Sequence, residues 1–129
     1  MMSSLAGGQG SPCIAHYGAT KAWNRVLAEG LWDELREHGV DAVACSAGAT
    51  RTPRYLQGRG AENESAFVPV MEPRDVASEA LAALGRVPSM IPGRANRAAA
   101  FVLQRLLPRR TAVRVMGNAS RRVGVGEVQ

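Results

Sequence analysis

The residues best able to do chemistry lie close together near the N-terminus: Ser4, Tyr17 and Lys21. The segment Tyr17-Gly18-Ala19-Thr20-Lys21 sets a phenol and an ammonium four residues apart, and Ser4 precedes the tyrosine by thirteen. Lys21 is the only lysine in the chain, and there are only two tyrosines. On a helix, positions i and i+4 share a face, so Tyr17 and Lys21 would stand one above the other. A free phenol titrates near ~10 and is a poor acid or base at neutral pH. A cation beside a phenol favours the phenolate. A serine hydroxyl within reach could hold a carbonyl or alcohol oxygen, so the trio suits proton transfer to or from such an oxygen. The plain alternative is a tyrosine and a lysine on a solvated helix face, and spacing alone leaves it open.

Such a trio needs a helix to carry two members and a strand end to carry the third. A helix is predicted from Ile14 to His38, because Ala22, Val26, Leu27, Leu31 and Leu35 recur at spacings of three and four, with Trp23 and Trp32 widening the face. Gly39 is its stop signal. Upstream, Leu5 to Pro12 reads as a Gly/Ser/Pro loop after a strand stub at Met1 to Ser4. Val40 to Ser46 reads as a short buried strand and Ala47 to Gly60 as a loop. Residues 61–71 read as irregular, ending in an extended Phe67 to Val70 stretch. Pro73 opens a second helix to about Leu84, ended by Gly85. Ser89 to Gly93 reads as a short strand or its end. Asn96 to Leu107 reads as an amphipathic helix broken by Pro108, with a further turn or two to Met116 and a loose remainder. This alternation predicts α/β with a parallel sheet. Two strands and a stub are few for a parallel sheet, which is normally covered on both faces. The chain therefore reads as the second half of something larger.

Composition removes several function classes. Of 129 residues, 46% are apolar and 21% charged, which excludes a disordered chain. Two cysteines and no C-x-x-C exclude a disulfide scaffold or a zinc motif, so no metal is expected. No apolar run approaches the ~20 residues of a membrane span, and with no basic segment and apolar core after Met1 a secretory signal is not expected. A cytoplasmic protein with reduced thiols is expected. The net charge of +5 is a C-terminal feature: from Arg94 onward there are eight arginines against Glu127 alone. A basic tail could attract nucleic acid or an anionic membrane. With Phe101 its one aromatic, a solvated arginine face is the preferred reading.

Four separated segments, in order, resemble the short-chain dehydrogenase/reductase family. Ser3-Ser4-Leu5-Ala6-Gly7, Pro12 and Tyr17-Gly18-Ala19-Thr20-Lys21-Ala22 resemble its catalytic segment. Ser46-Ala47-Gly48-Ala49-Thr50-Arg51-Thr52-Pro53 resembles its Pro-Gly-x-x-x-Thr-Pro loop, with Ala47 where proline is usual. Pro73-Arg74-Asp75-Val76-Ala77 resembles a later helix start, and Met90-Ile91-Pro92-Gly93 its last strand.

The resemblance implies the C-terminal part of a Rossmann-like doubly wound parallel sheet with extra C-terminal helices. Residues 1–93 would be the C-terminal half of the family's domain, and 94–129 a basic helical extension with a loose tail. It implies NAD- or NADP-dependent hydride transfer between nicotinamide and a carbonyl or secondary alcohol. Tyr17 would be the general acid/base. Lys21 would bond the nicotinamide ribose and assist Tyr17, and Ser4 would orient the substrate oxygen. Gly48, Thr50 and Thr52, together with Tyr17 and Lys21, would lie against the cofactor. The Gly-rich phosphate turn, the residue choosing NAD or NADP and the family's catalytic asparagine have no counterpart in these 129 residues. The chain by itself is therefore expected to be inactive, through a truncated or wrongly started reading frame. The expected partners are a small-molecule carbonyl or alcohol and, when complete, further copies of the same chain, with no nucleic acid and no integral membrane segment. Two alternatives stand beside this: a non-catalytic remnant acting as an interaction module, and a basic-tail membrane or nucleic-acid binder.

Overall fold

Strand β1, Met2–Ser4, and strand β2, Ala44–Ala47, run parallel with Met2 opposite Cys45 and Ser4 opposite Ala47. Strand β3, Ser89–Met90, joins the other side of β2 with Cys45 opposite Met90. The order β1-β2-β3 is all parallel, so the carboxyl ends of β1 and β2 finish side by side. Val43, Ala44 and Cys45 are buried, as a central parallel strand requires. These positions come from a computed structural model that describes residues 1–57 and 69–122.

Helix α1, Ala15–Glu34, lies across all three strands. It continues into a 3-10 turn, Arg36–His38, stopped by Gly39 at φ 67°. The buried contact side of α1 is small, Gly18 and Ala28. The three strands leave part of the apolar face of α1 uncovered. Trp23 and Val26 are 63% and 62% exposed, because small residues let the helix lie close to the sheet and the apolar stripe is wider than that contact.

The loop after β2 contains a short helix α2, Pro53–Gln57, and a bridge from Thr50 to Met71. Helix α3, Pro73–Ala83, starts with proline in its first turn and buries Val76. Helix α4, Arg94–Phe101, runs on as a π-helical stretch, Val102–Leu106. Helix α5, Arg109–Arg122, is far longer than the turn or two expected. Its support is tertiary. Ala112, Gly117 and Ser120 are buried, and a methyl group on Gly117 would lie 3.0 Å from Pro12 Cγ. The irregular reading at 61–68, with the extended Phe67 and Val68, and the tail from 123 onward fall outside the described residues. No helix among the described residues is long and apolar enough to cross a membrane.

Candidate active site

Helical spacing puts Lys21 directly over Tyr17, with Nζ 5.5 Å from the ring centroid. The phenol is on the surface, 41% exposed, and Thr20 Oγ1 donates to the Tyr17 carbonyl at 2.8 Å. Lys21 Nζ donates to the Met2 carbonyl at 3.2 Å, and so does Asn24 Nδ2. Ser3 Oγ donates to the Lys21 carbonyl at 2.6 Å. Strand β1 and helix α1 are thus tied at the lysine itself. Ser3 and Asn24 were missed as positioning residues. Their signals were present: a paired Ser-Ser, and an amide three positions after the lysine on the same helix face.

Ser4 ends β1 half-buried, and its Oγ accepts from the Ala6 N–H at 3.2 Å, capping the 3-10 turn Leu5–Gly8. Accepting that bond leaves the hydroxyl proton available to donate. The turn then presses against α1. A methyl group on Gly7 would lie 2.7 Å from the Ala22 amide nitrogen, and one on Gly18 would lie 3.0 Å from the Ala6 carbonyl oxygen. These two glycines set the approach between the element carrying Ser4 and the helix carrying Tyr17. Cys13, with φ 70°, makes the turn that starts that helix.

The second wall is the loop after β2. Register places Ala47 opposite Ser4, so Gly48 to Thr52 leaves the sheet beside the serine. Thr50 Oγ1 donates to the Gly48 carbonyl at 3.2 Å. Thr52 Oγ1 accepts from the Tyr55 N–H at 3.2 Å and caps α2. Arg51 forms an ion pair with Glu72 at 2.9 Å. The loop lies at the carboxyl end of a parallel sheet, where open α/β folds bind their ligands. Exposed Tyr17, half-buried Lys21, a serine donor and this loop are the groups here that could hold a cofactor.

His16 and His38 are exposed. Cys45 is buried in β2, and burial pushes its thiol above the usual value of 9.0. A cavity of about 240 Å³ opens by the 3-10 turn and includes Gly7, Gln9, Ser11, Gly18 and Arg109 in its lining. The arginines read from sequence as surface charges include one with a second role: Arg109 is exposed, yet Nη1 donates to the Gly8 carbonyl at 3.2 Å.

Comparison with known proteins supports the same reading. Residues 1–62 match the family model described as short chain dehydrogenase. The chain is 32% identical over 96 residues to a 7beta-hydroxysteroid dehydrogenase of Clostridium sardiniense, covering 74% of this chain and 36% of that protein. It is 32% identical over 98 residues to a 7beta-hydroxysteroid dehydrogenase of Collinsella aerofaciens, covering 74% and 37%. A solved structure described in connection with 7beta-hydroxysteroid dehydrogenase stereoselectivity superposes with a TM-score of 0.80 at 28% identity. That overlay takes in 89% of this chain and 45% of the other, so it extends into the helices after Arg94. The chain spans little more than a third of the length of the curated relatives it matches.

Proposed function

The chain is a member of the short-chain dehydrogenase/reductase family over the stretch it shares with these relatives, and from that premise we propose that it supplies the catalytic segment of an NAD- or NADP-dependent oxidoreductase. Its substrates are a ketone or secondary alcohol, with hydroxysteroids the first to assay because the relatives are named for them. The observation that carries the reading is the Lys21 ammonium above the exposed Tyr17 ring, tied to the strand that ends in Ser4.

A bound nicotinamide supplies or accepts the hydride. Everything else falls to the side chains here. In ketone reduction the Tyr17 hydroxyl gives its proton to the carbonyl oxygen. In alcohol oxidation the Tyr17 phenolate takes the hydroxyl proton as the C–H bond gives up its hydride. Ser4 donates to the same oxygen and fixes its position. Lys21, anchored on Met2, holds positive charge beside the phenol. With Gly48, Thr50 and Thr52 it would hold the nicotinamide end of the cofactor.

The test joins this chain to the portion of the Clostridium sardiniense relative that it does not span. NADH and NADPH oxidation is then followed against steroid and simple ketones. Ketone-dependent turnover that is lost on Tyr17→Phe is the expected result. A folded protein whose turnover is indifferent to Tyr17→Phe would overturn the reading. The chain alone has no Gly-rich phosphate turn, so fluorescence titration of NADH against it is expected to show no saturable binding.

A further inference from the structure

Asn96 is fully buried at the start of α4, far in sequence from every residue of the site. Buried asparagines are normally hydrogen-bonded at both ends of the amide. Here Nδ2 donates to the Pro92 carbonyl at 3.0 Å and to the Met71 sulfur at 3.4 Å. Oδ1 has no partner among the described residues. The side chain fills the space beneath Gly48, where a methyl group would lie 2.8 Å from Nδ2 and 2.9 Å from Oδ1. Met71, held by Asn96, is the residue that pairs with the loop after β2. Its N–H donates to the Ala49 carbonyl at 3.0 Å, and its carbonyl accepts from the Arg51 N–H at 2.9 Å. Gly93, at φ 80°, lets the chain turn around the same amide, and its N–H is held by Glu79 at 3.0 Å. Asn96 therefore meets three segments at once: the loop, the strand-like residue that pairs with it, and the turn after β3.

We propose that Asn96 is a positioning residue that sets the place of the Gly48 to Thr52 loop, from below through Gly48 and from the side through Met71. The inference rests on the proposed function for its consequence, since that loop is the wall assigned to the nicotinamide. Its mechanical part stands without it. Any side chain at position 48 would force the Asn96 amide to shift, and that amide holds Met71 at the height that lets residues 49 and 51 pair.

Two arms test it. The first is amide hydrogen exchange on the full chain, comparing wild type with Asn96→Leu, which keeps the branched outline of four side-chain heavy atoms and loses the amide. Exchange at the amides of Arg51 and Met71 is expected to accelerate ten-fold or more, while Ala44 and Cys45 in β2 keep their protection. Unchanged exchange at Arg51 and Met71, or equal acceleration across the chain, would overturn the proposal. Met71→Leu, a volume-conserving change, removes only the sulfur acceptor and is expected to give a smaller acceleration at the same two amides. It decides the matter if Asn96→Leu does not fold, and no change at those amides would count against the proposal. The second arm uses the joined polypeptide. Asn96→Leu is expected to raise the KM for the nicotinamide cofactor several-fold, with the ketone KM nearly constant. A shift in the ketone KM alone would overturn the link to the cofactor wall. Loss of exchange protection without any turnover in the wild type would instead place the failure in the proposed function.

Discussion

The two walls of the site are built by opposite means. The α1 wall is local: Tyr17 and Lys21 meet because a helix brings position i+4 over position i, and short ties to Met2 and from Ser3 anchor them. The β2-loop wall is remote: Gly48 to Thr52 is held by Met71 and by Asn96, residues contributed by later elements of the chain. The first wall should survive changes elsewhere and fail only when its own residues change. The second should be sensitive to substitutions far away in sequence.

The sharpest break of the local wall is Tyr17→Phe, which removes the exchangeable proton and keeps the ring. In the joined polypeptide, steady-state turnover is expected to fall by about 10² or more, the scale of general acid–base catalysis. A fall in turnover without a matching rise in cofactor KM would fit the assigned role.

Next in size is Gly7→Ala. The new methyl group meets the backbone of Ala22 at 2.7 Å, which no rotamer change relieves. A loss of about 1–3 kcal/mol in urea unfolding is expected, the usual cost of overpacking. Wild-type stability would show that the turn and α1 can part without cost, weakening the local picture.

For the remote wall the matching change is Gly48→Ala, whose methyl group meets the Asn96 side chain. A several-fold rise in cofactor KM is expected, and adding Asn96→Ser is expected to change it by less than the two single effects combined, since the two side chains occupy one space. Strictly additive effects would separate Gly48 from Asn96.

Cys45 lies in β2, the strand from which the second wall leaves. Because its thiol is pushed upward by burial, the folded chain keeps the proton to higher pH than the unfolded chain does. That contribution is fully present below the ordinary value of 9.0 and is lost as pH rises through the folded value. Subtracting the urea stability of Cys45→Ala from wild type at pH 7 and pH 10 should give a difference that shrinks at the higher pH. Iodoacetamide should label exposed Cys13 long before Cys45.

The smallest effect is expected at Cys13, a left-handed residue without glycine's freedom. Cys13→Gly relieves that strain but loosens the unfolded chain. The net gain is expected to be under about 1 kcal/mol in the same unfolding measurement.

Much of the local wall was legible in the residues themselves. A four-residue spacing, a glycine stop at Gly39 and a proline start at Pro73 each act within one or two turns of helix, so they read directly from sequence. Periodicity marks an apolar stripe on α1 without saying how much of it the sheet covers, and Trp23 and Val26 lie outside that cover. The α2 helix in the loop was missed because Thr52 and Pro53 are weak signals in a stretch full of glycine.

By itself the sequence determined the chemistry available: one phenol, one ammonium and one serine at spacings that a helix and a strand end convert into neighbours. Only the tertiary structure decided what holds that chemistry in place. The length of α5 came from burial of Ala112, Gly117 and Ser120 against the rest of the chain, which outweighs a glycine in its middle. The importance of Asn96 came from where it is buried, since an asparagine's spacing to its sequence neighbours carries no trace of the glycine it lies beneath. Helical geometry repeats every few residues and is written locally. Close packing joins residues without regard to their separation, and so it appears only once the chain has folded.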